Sequence, residues 1–311
     1  MSSASSYEKL IEDLRAEFRP QRSWGAGRGI FMVIGHFVVG VAAGGWLFGL
    51  LYESRAGLAL AFVLAGLGGL AHLINLGRPE LFWRMMAQPG RSWVSRGFWG
   101  LSLFLIGSFL YLVPLWIPGS LWQSGSLIGQ LGYWLSLLGM VALMGYMGFV
   151  YSSSKAIPFW NSPLHPALYV AYALRGGLAS LLLVQALGAH GTATFHELLL
   201  GWLWLSALVV AFFALELHGA WTSGNAAAKH SVQELFAGGM VIAFYGGTLA
   251  LGLLVPAALV WWGLYGQTSL QAMALLALAS AVGDFFMKYA TIRAGVHLPV
   301  WTKLAPQRLQ R

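Results

Sequence analysis

The sequence predicts an all-α integral membrane protein with eight transmembrane helices. Three observations carry that prediction. Of the 311 residues, 58% are hydrophobic and only 9% are charged, where a soluble domain carries roughly 25% charged residues. Eight apolar runs of about 20 residues punctuate the chain, each long enough to cross roughly 30 Å of hydrocarbon. The 18 Lys and Arg residues are strongly biased towards the connections on one side of those runs.

The runs lie near 29–52, 56–76, 97–117, 127–151, 166–188, 196–217, 236–262 and 269–291. Backbone N–H and C=O groups in lipid must be satisfied within their own segment, so each run is read as a helix. Residues 1–28 ahead of them are charged and polar, without the pattern of a cleavable signal peptide. Within them "SYEKLIEDLRAEF" places Tyr7, Leu10, Ile11, Leu14 and Phe18 on one helical face, and Pro20 stops the helix. This segment reads as an amphipathic helix on the membrane surface or as a contact for a soluble partner. Residues 152–165 form a loop and 292–311 a basic tail.

Orientation follows from the cations. Lys9, Arg15, Arg19, Arg22 and Arg28 precede the first run, and Arg78, Arg84, Arg91 and Arg96 fill the second connection. Lys155, Lys229, Lys288, Arg293, Lys303, Arg308 and Arg311 fall on the same side. Arg55 lies opposite and Arg175 within a run. Positive connections stay cytoplasmic, so both termini are expected there. The net charge of +8 is accordingly a topology and docking signal rather than a nucleic-acid surface. With no cysteine in the chain, thiolate-ligated iron–sulfur clusters and disulfides are excluded.

Ionisable groups at membrane depth are expensive and point to function. His36, Arg175, Glu216, Asp284 and Lys288 lie inside the runs, and His72 and Asn75 lie near the cytoplasmic end of the second. Arg175 and Asp284 sit at depths that permit an ion pair, and Lys288 is one turn beyond Asp284 on the same face. At about 1.5 Å per residue, His36 and His72 differ by roughly 7 Å in depth. The polarity is lopsided, concentrated in the cytoplasmic half. A secondary transporter would place its site near the midplane, with broken helices in matching repeats. A haem-b subunit would need two histidines at one level on facing helices. A pocket opening near one surface fits better than either.

Four stretches, in order, resemble one family. "HLINLGRPELFW" followed by "SWVSRGFWG" resembles the signature after the second helix of the NrfD-like membrane subunits, the anchors of polysulfide reductase, dimethyl sulfoxide reductase and sulfite-oxidising complexes. "YSSSKAIPFWNSPLHP" is similar to the family's Pro-Phe-Trp loop, "GDFFMKYATIRAGVHLP" to its terminal helix and tail, and "GHFVVGVAAGGW" to its glycine-rich first span. The resemblance implies two four-helix bundles, 29–151 and 166–291, in a bacterial cytoplasmic membrane. It implies a quinone-binding anchor, for ubiquinone or menaquinone, with no haem or iron–sulfur cluster of its own. An iron–sulfur subunit and a molybdenum-cofactor catalytic subunit would dock on the cytoplasmic side. Sulfite oxidation with quinone reduction is the first expectation for the partner's chemistry, ahead of dimethyl sulfoxide, polysulfide or phenylacetyl-CoA conversion.

The resemblance also suggests roles by position. Asn75 occupies the place of a quinol-site histidine in the dimethyl sulfoxide reductase anchor, and His72, on the same helical face, would take over from it. His36 falls beside a quinone-contacting position of the first helix. Tyr151, with Tyr146 as rival, is the expected fourth-helix contact, and Arg175 completes the quinone set. Gly97 stands where the relative has an acid. Asp284, Lys288 and Glu216 are the expected proton path. Arg78, Trp83, Arg84, Arg91 and Arg96 would dock the partner, the arginines offering forked donors to its carboxylates. No metal site is expected. The non-cytoplasmic half is too poor in ionisable groups for a proton channel across the membrane.

Overall fold

The computed structural model describes residues 11, 18–21, 23–189, 191–266 and 269–298. Most of the expected amphipathic stretch and the tail beyond residue 298 lie outside these, with Lys9, Arg15, Arg22, Lys303, Arg308 and Arg311. The described chain forms α1 (Ile30–Leu51), α2 (Arg55–Asn75), α3 (Trp93–Trp116), α4 (Leu127–Ser152), α5 (Leu164–Ala186), α6 (Phe195–Thr222), a short α7 (Ala226–Phe236), α8 (Ile242–Tyr265) and α9 (Leu270–Arg293). Among the described residues, eight of these helices, all but α7, are long and apolar enough to cross a membrane.

The helix starts are built from local chemistry. Ser54, Ser92, Ser126, Thr194, Asn225 and Ser269 each cap a helix by accepting a hydrogen bond from a first-turn N–H. This satisfies donors that the helix itself leaves orphaned. Thr194 and Glu197 form a reciprocal capping box.

The seventh apolar run departs from expectation. Phe236 ends α7 instead of opening a span, and the chain turns before the span begins at Ile242. Asn225 starts a separate helix there, and the Glu234 carboxylate accepts from the Gly239 N–H at 2.9 Å across the turn. From Ile242 to Leu254, α8 is wound as a π-helix, becoming α-helical at Val255. The Thr248 hydroxyl donates to the Ala243 carbonyl five residues back, at 3.4 Å. Pro256 has no N–H with which to extend an α-helical ladder backwards.

The central helices are α1 and α5, with 61% and 72% of their membrane-length windows buried, against 28–44% for the others. In the first half α1 and α3 each pack on α2 and α4; in the second, α5 packs on α6 and α9, and α8 on both of those. The halves meet through α1 against α5, with α4 also on α5 and α9 on α1. Gly44 and Gly177 make that join: a Cβ on either would run into the other helix's backbone. Small residues permit such approach, and in lipid, close packing is the main source of helix association. Each half also carries a buried tryptophan bonded across helices. Trp46 donates to Ser136 at 3.2 Å and Trp202 to Ser280 at 2.8 Å.

The arginine-rich end is closed by the segments flanking the spans. Arg19–Pro20 pairs antiparallel with Val296–His297. The Gln21 N–H donates to the Gly295 carbonyl at 2.8 Å, and the Val296 N–H to the Ser231 hydroxyl of α7 at 3.1 Å. Trp24 is thereby set against Tyr151 and Trp160.

The glycine join makes a clear expectation. Gly177→Ala inserts a methyl into backbone and should lower stability by about 1–3 kcal/mol, read as a fall in the thermal unfolding midpoint of the detergent-solubilised protein. Gly66→Ala, at a glycine with open space around it, should leave the midpoint unchanged or raised.

Candidate functional site

Residues near the arginine-rich ends of α1, α2, α3 and α4 enclose a cavity of about 120 Å³. Its walls include His36, His72, Asn75, Tyr146, Phe98 and Met85. The roughly 7 Å depth difference between the histidines is closed by helix direction. Side chains lean towards the N-terminus of their helix. His36 on α1 therefore leans towards the arginine-rich end, and His72 near the end of α2 leans inwards. Their rings meet edge to face at 5.0 Å.

Two tyrosines of α4 complete the arrangement. The Tyr151 hydroxyl lies 2.7 Å from His36 Nδ1, and the Tyr146 hydroxyl 3.3 Å from His72 Nε2. Each imidazole thus has one nitrogen tied to a phenol, leaving the other to serve the cavity. Both tyrosines, one turn and a residue apart, are used: Tyr146 lines the cavity and Tyr151 backs His36. Gly97 has a packing role, since a Cβ there would collide with the Tyr146 ring.

The second connection folds over the cavity. Pro79–Met86 forms a 3-10 segment whose end is pinned to α3. Ser95 donates to the Met85 carbonyl, and Trp99 Nε1 to the Met86 carbonyl at 3.0 Å. Met85 then forms part of the cavity wall. Arg96 donates to the Pro89 and Gly90 carbonyls at 2.8 and 3.1 Å and lies over the Trp93 ring at 4.1 Å. Its guanidinium shapes the loop, whereas Arg78, Arg84 and Arg91 are exposed, as is Trp83.

A second polar group lies between α5, α6 and α9. Arg175 and Asp284 form a buried ion pair, and Arg175 Nη1 also reaches the Ser206 hydroxyl at 3.4 Å. Arg175 is therefore not a wall of the histidine cavity. Lys288, also buried, holds its ammonium 4.7 Å from the centre of the Tyr169 ring. Glu216 stands apart from Asp284 and Lys288, bonded to His165 at the start of α5. Nothing in the sequence singles out His165, although an acid within the sixth run with no cation on its own helix face requires a partner from another helix. Among the described residues, no cluster of three or more His, Cys, Asp or Glu is arranged to hold a metal.

The family model "Polysulphide reductase, NrfD" matches residues 19–299. The chain belongs to this family. Protein NrfD of Escherichia coli (strain K12) is 28% identical over 253 residues, covering 74% of this chain and 78% of that protein. A polysulfide reductase component of Wolinella succinogenes is 26% identical over 228 residues, 66% of this chain and 69% of the relative. A putative dimethyl sulfoxide reductase membrane subunit of Halobacterium salinarum is 27% identical over 200 residues; the match covers 55% of this chain and only 45% of that longer protein. In this NrfD-family protein, the matched region includes every cavity-lining residue named above.

The Arg175–Asp284 pair gives the second expectation. Arg175→Met strands a buried carboxylate and should cost about 3–5 kcal/mol, seen as loss of folded protein in detergent extracts. Arg175→Met with Asp284→Leu removes both charges of the pair and should recover part of that loss, the remainder reflecting buried Lys288 left without its neighbouring carboxylate.

Proposed function

We propose that this chain is the quinone-reactive membrane subunit of a multi-subunit oxidoreductase. In this reading it exchanges electrons between a docked iron–sulfur subunit and the membrane quinone pool. The observation that carries the reading is the His36–His72 cavity, set beneath a folded arginine-rich loop in a protein of the NrfD family. A quinone head needs a flat apolar slot and a hydrogen-bond partner for each carbonyl oxygen. His36 and His72 supply the two partners, and Phe98, Val94 and Met32 supply apolar wall. An apolar cavity of about 150 Å³ is enough for a benzene ring. The cavity here, about 120 Å³, is smaller than that, and Met32 and Met85 on its wall would have to move aside for a quinone head, which methionine side chains do readily.

The exposed Arg78, Arg84 and Arg91 with Trp83 suit an acidic, planar partner surface directly over the cavity. In that arrangement the iron–sulfur subunit lies within electron-transfer reach of the quinone, and the molybdenum-cofactor catalytic subunit beyond it. The cation bias supports a cytoplasmic location for both partners at a bacterial inner membrane. Two relatives are named for reductases of dimethyl sulfoxide and polysulfide; a sulfur compound is therefore the substrate class we assign to the catalytic partner, with sulfite as the specific expectation.

The test is affinity isolation of the protein from native membranes in mild detergent, with molybdenum, iron and quinone assayed in the eluate. Co-isolation of all three with two soluble subunits is expected. A metal-free eluate without partners would overturn the reading. In the isolated complex, His36→Ala with His72→Ala should reduce quinone turnover about a hundredfold or more without releasing the partner subunits.

A further inference from the structure

A cavity of about 520 Å³, larger than the histidine cavity, lies apart from it. It lies at the same arginine-rich end, between the 152–165 loop and the ends of α6 and α7, and its walls include Lys155, Asn161, Glu216 and Asn225. Glu216 is 3% exposed, so the cavity reaches a buried carboxylate. One oxygen of that carboxylate bonds His165 Nδ1, while the other is buried without a protein partner. His165 Nε2 and the Tyr169 hydroxyl are buried and unpartnered too.

Ring contacts lead from these residues to His36 on the wall of the histidine cavity. The His165 ring lies 4.9 Å from that of Tyr169 and 5.8 Å from that of Tyr151, and the two tyrosine rings are 5.4 Å apart. The Tyr151 hydroxyl reaches His36 Nδ1 at 2.7 Å. A run of packed rings therefore lies between the two cavities, hydrogen-bonded at its ends through Glu216–His165 and Tyr151–His36. Buried polar atoms are ordinarily satisfied by protein or by water. Three such atoms, on Glu216, His165 and Tyr169, lie between the two cavities, where bound water would satisfy them and join the hydrogen-bonded pairs at either end. Imidazole is suited to the middle position, taking a proton on one nitrogen and releasing one from the other.

We propose that Glu216 and His165 form the proton port of the quinone site, passing protons between the large cavity and His36 by way of Tyr169 and Tyr151. This rests on the quinone reading above. Reduction of a quinone consumes two electrons and two protons and forms two O–H bonds. The iron–sulfur partner supplies the electrons, and the port supplies protons from the face on which the cavity opens. Quinol oxidation runs the same route in reverse. No proton crosses the membrane by this route, because both cavities lie at the same end. Asp284 is outside it, and Lys288 stands beside it with its ammonium 4.7 Å from the centre of the Tyr169 ring.

The test uses the intact complex, with reduced benzyl viologen as electron donor and decylubiquinone as acceptor. Glu216→Gln keeps an acceptor for His165 but carries no transferable acid proton. Turnover is expected to fall about tenfold or more, with an unchanged KM for decylubiquinone, a larger solvent deuterium isotope effect, and partial recovery on adding formate or imidazole. Glu216→Asp should retain most activity. Gly219→Phe plugs the large cavity from a position with open space around it; it should slow turnover in the same way and keeps the test decisive if Glu216→Gln fails to assemble. Wild-type turnover in Glu216→Gln or Gly219→Phe, with turnover still lost in the His36→Ala, His72→Ala variant, would overturn the port and leave the quinone site standing. Wild-type turnover in all of them would overturn both.

Discussion

The approach of α1 to α5 at Gly44 and Gly177 is the constraint on which the rest of the structure depends. Two helices that touch backbone to backbone leave little freedom of rotation or depth between them. With α1 fixed against α5, its His36 face is turned to α2 and α4, and the start of α5 brings His165 towards Tyr151. A methyl at the join would push the central helices apart, and interiors packed this tightly do not absorb such a change locally. The distances of the polar site are therefore set by a contact that contains no polar side chain.

That constraint also explains why buried polarity is tolerated here at all. A buried acid or base in hydrocarbon needs a partner, and helices satisfy only their own backbones. Every partner must come from a different helix at the right height. Arg175 finds Asp284, Glu216 finds His165, and His36 finds Tyr151 across helix–helix seams. Opposite helix directions assist, since side chains leaning towards their own N-termini converge when neighbouring helices run antiparallel. His36 and His72 meet for this reason despite starting several ångströms apart in depth.

This is also where the sequence stops being legible. The spans and the depth match of Arg175 with Asp284 depend on period and length, both of which are one-dimensional. His36, His72 and Asn75 can be grouped because helix depth and family resemblance coincide. The His165–Glu216 pair cannot be found that way: it depends on the rotation of α5 against α6, which no periodicity reports. The separate α7 is hidden because Phe236 prolongs an apolar run, although Asn225 and the glycines at 238 and 239 break it. Arg96 reads as a docking group, yet the loop's own carbonyls at Pro89 and Gly90 engage it.

The two buried carboxylates show how to separate polarity that holds a fold from polarity that can react. Asp284 and Glu216 are each bonded through one oxygen and left with the other unpartnered. Hydrogen-bond bookkeeping alone would treat them alike. Their surroundings differ. Asp284 faces a guanidinium, which stays protonated under any condition the protein meets, and it lines neither the histidine cavity nor the large one. Glu216 faces an imidazole, whose two nitrogens can each carry a proton, and forms part of the wall of the 520 Å³ cavity. A carboxylate locked to a permanent cation stabilises one arrangement of helices. A carboxylate paired with an imidazole at a cavity wall is the one placed to serve the proposed proton port, with the rings from His165 to His36 leading onward from it.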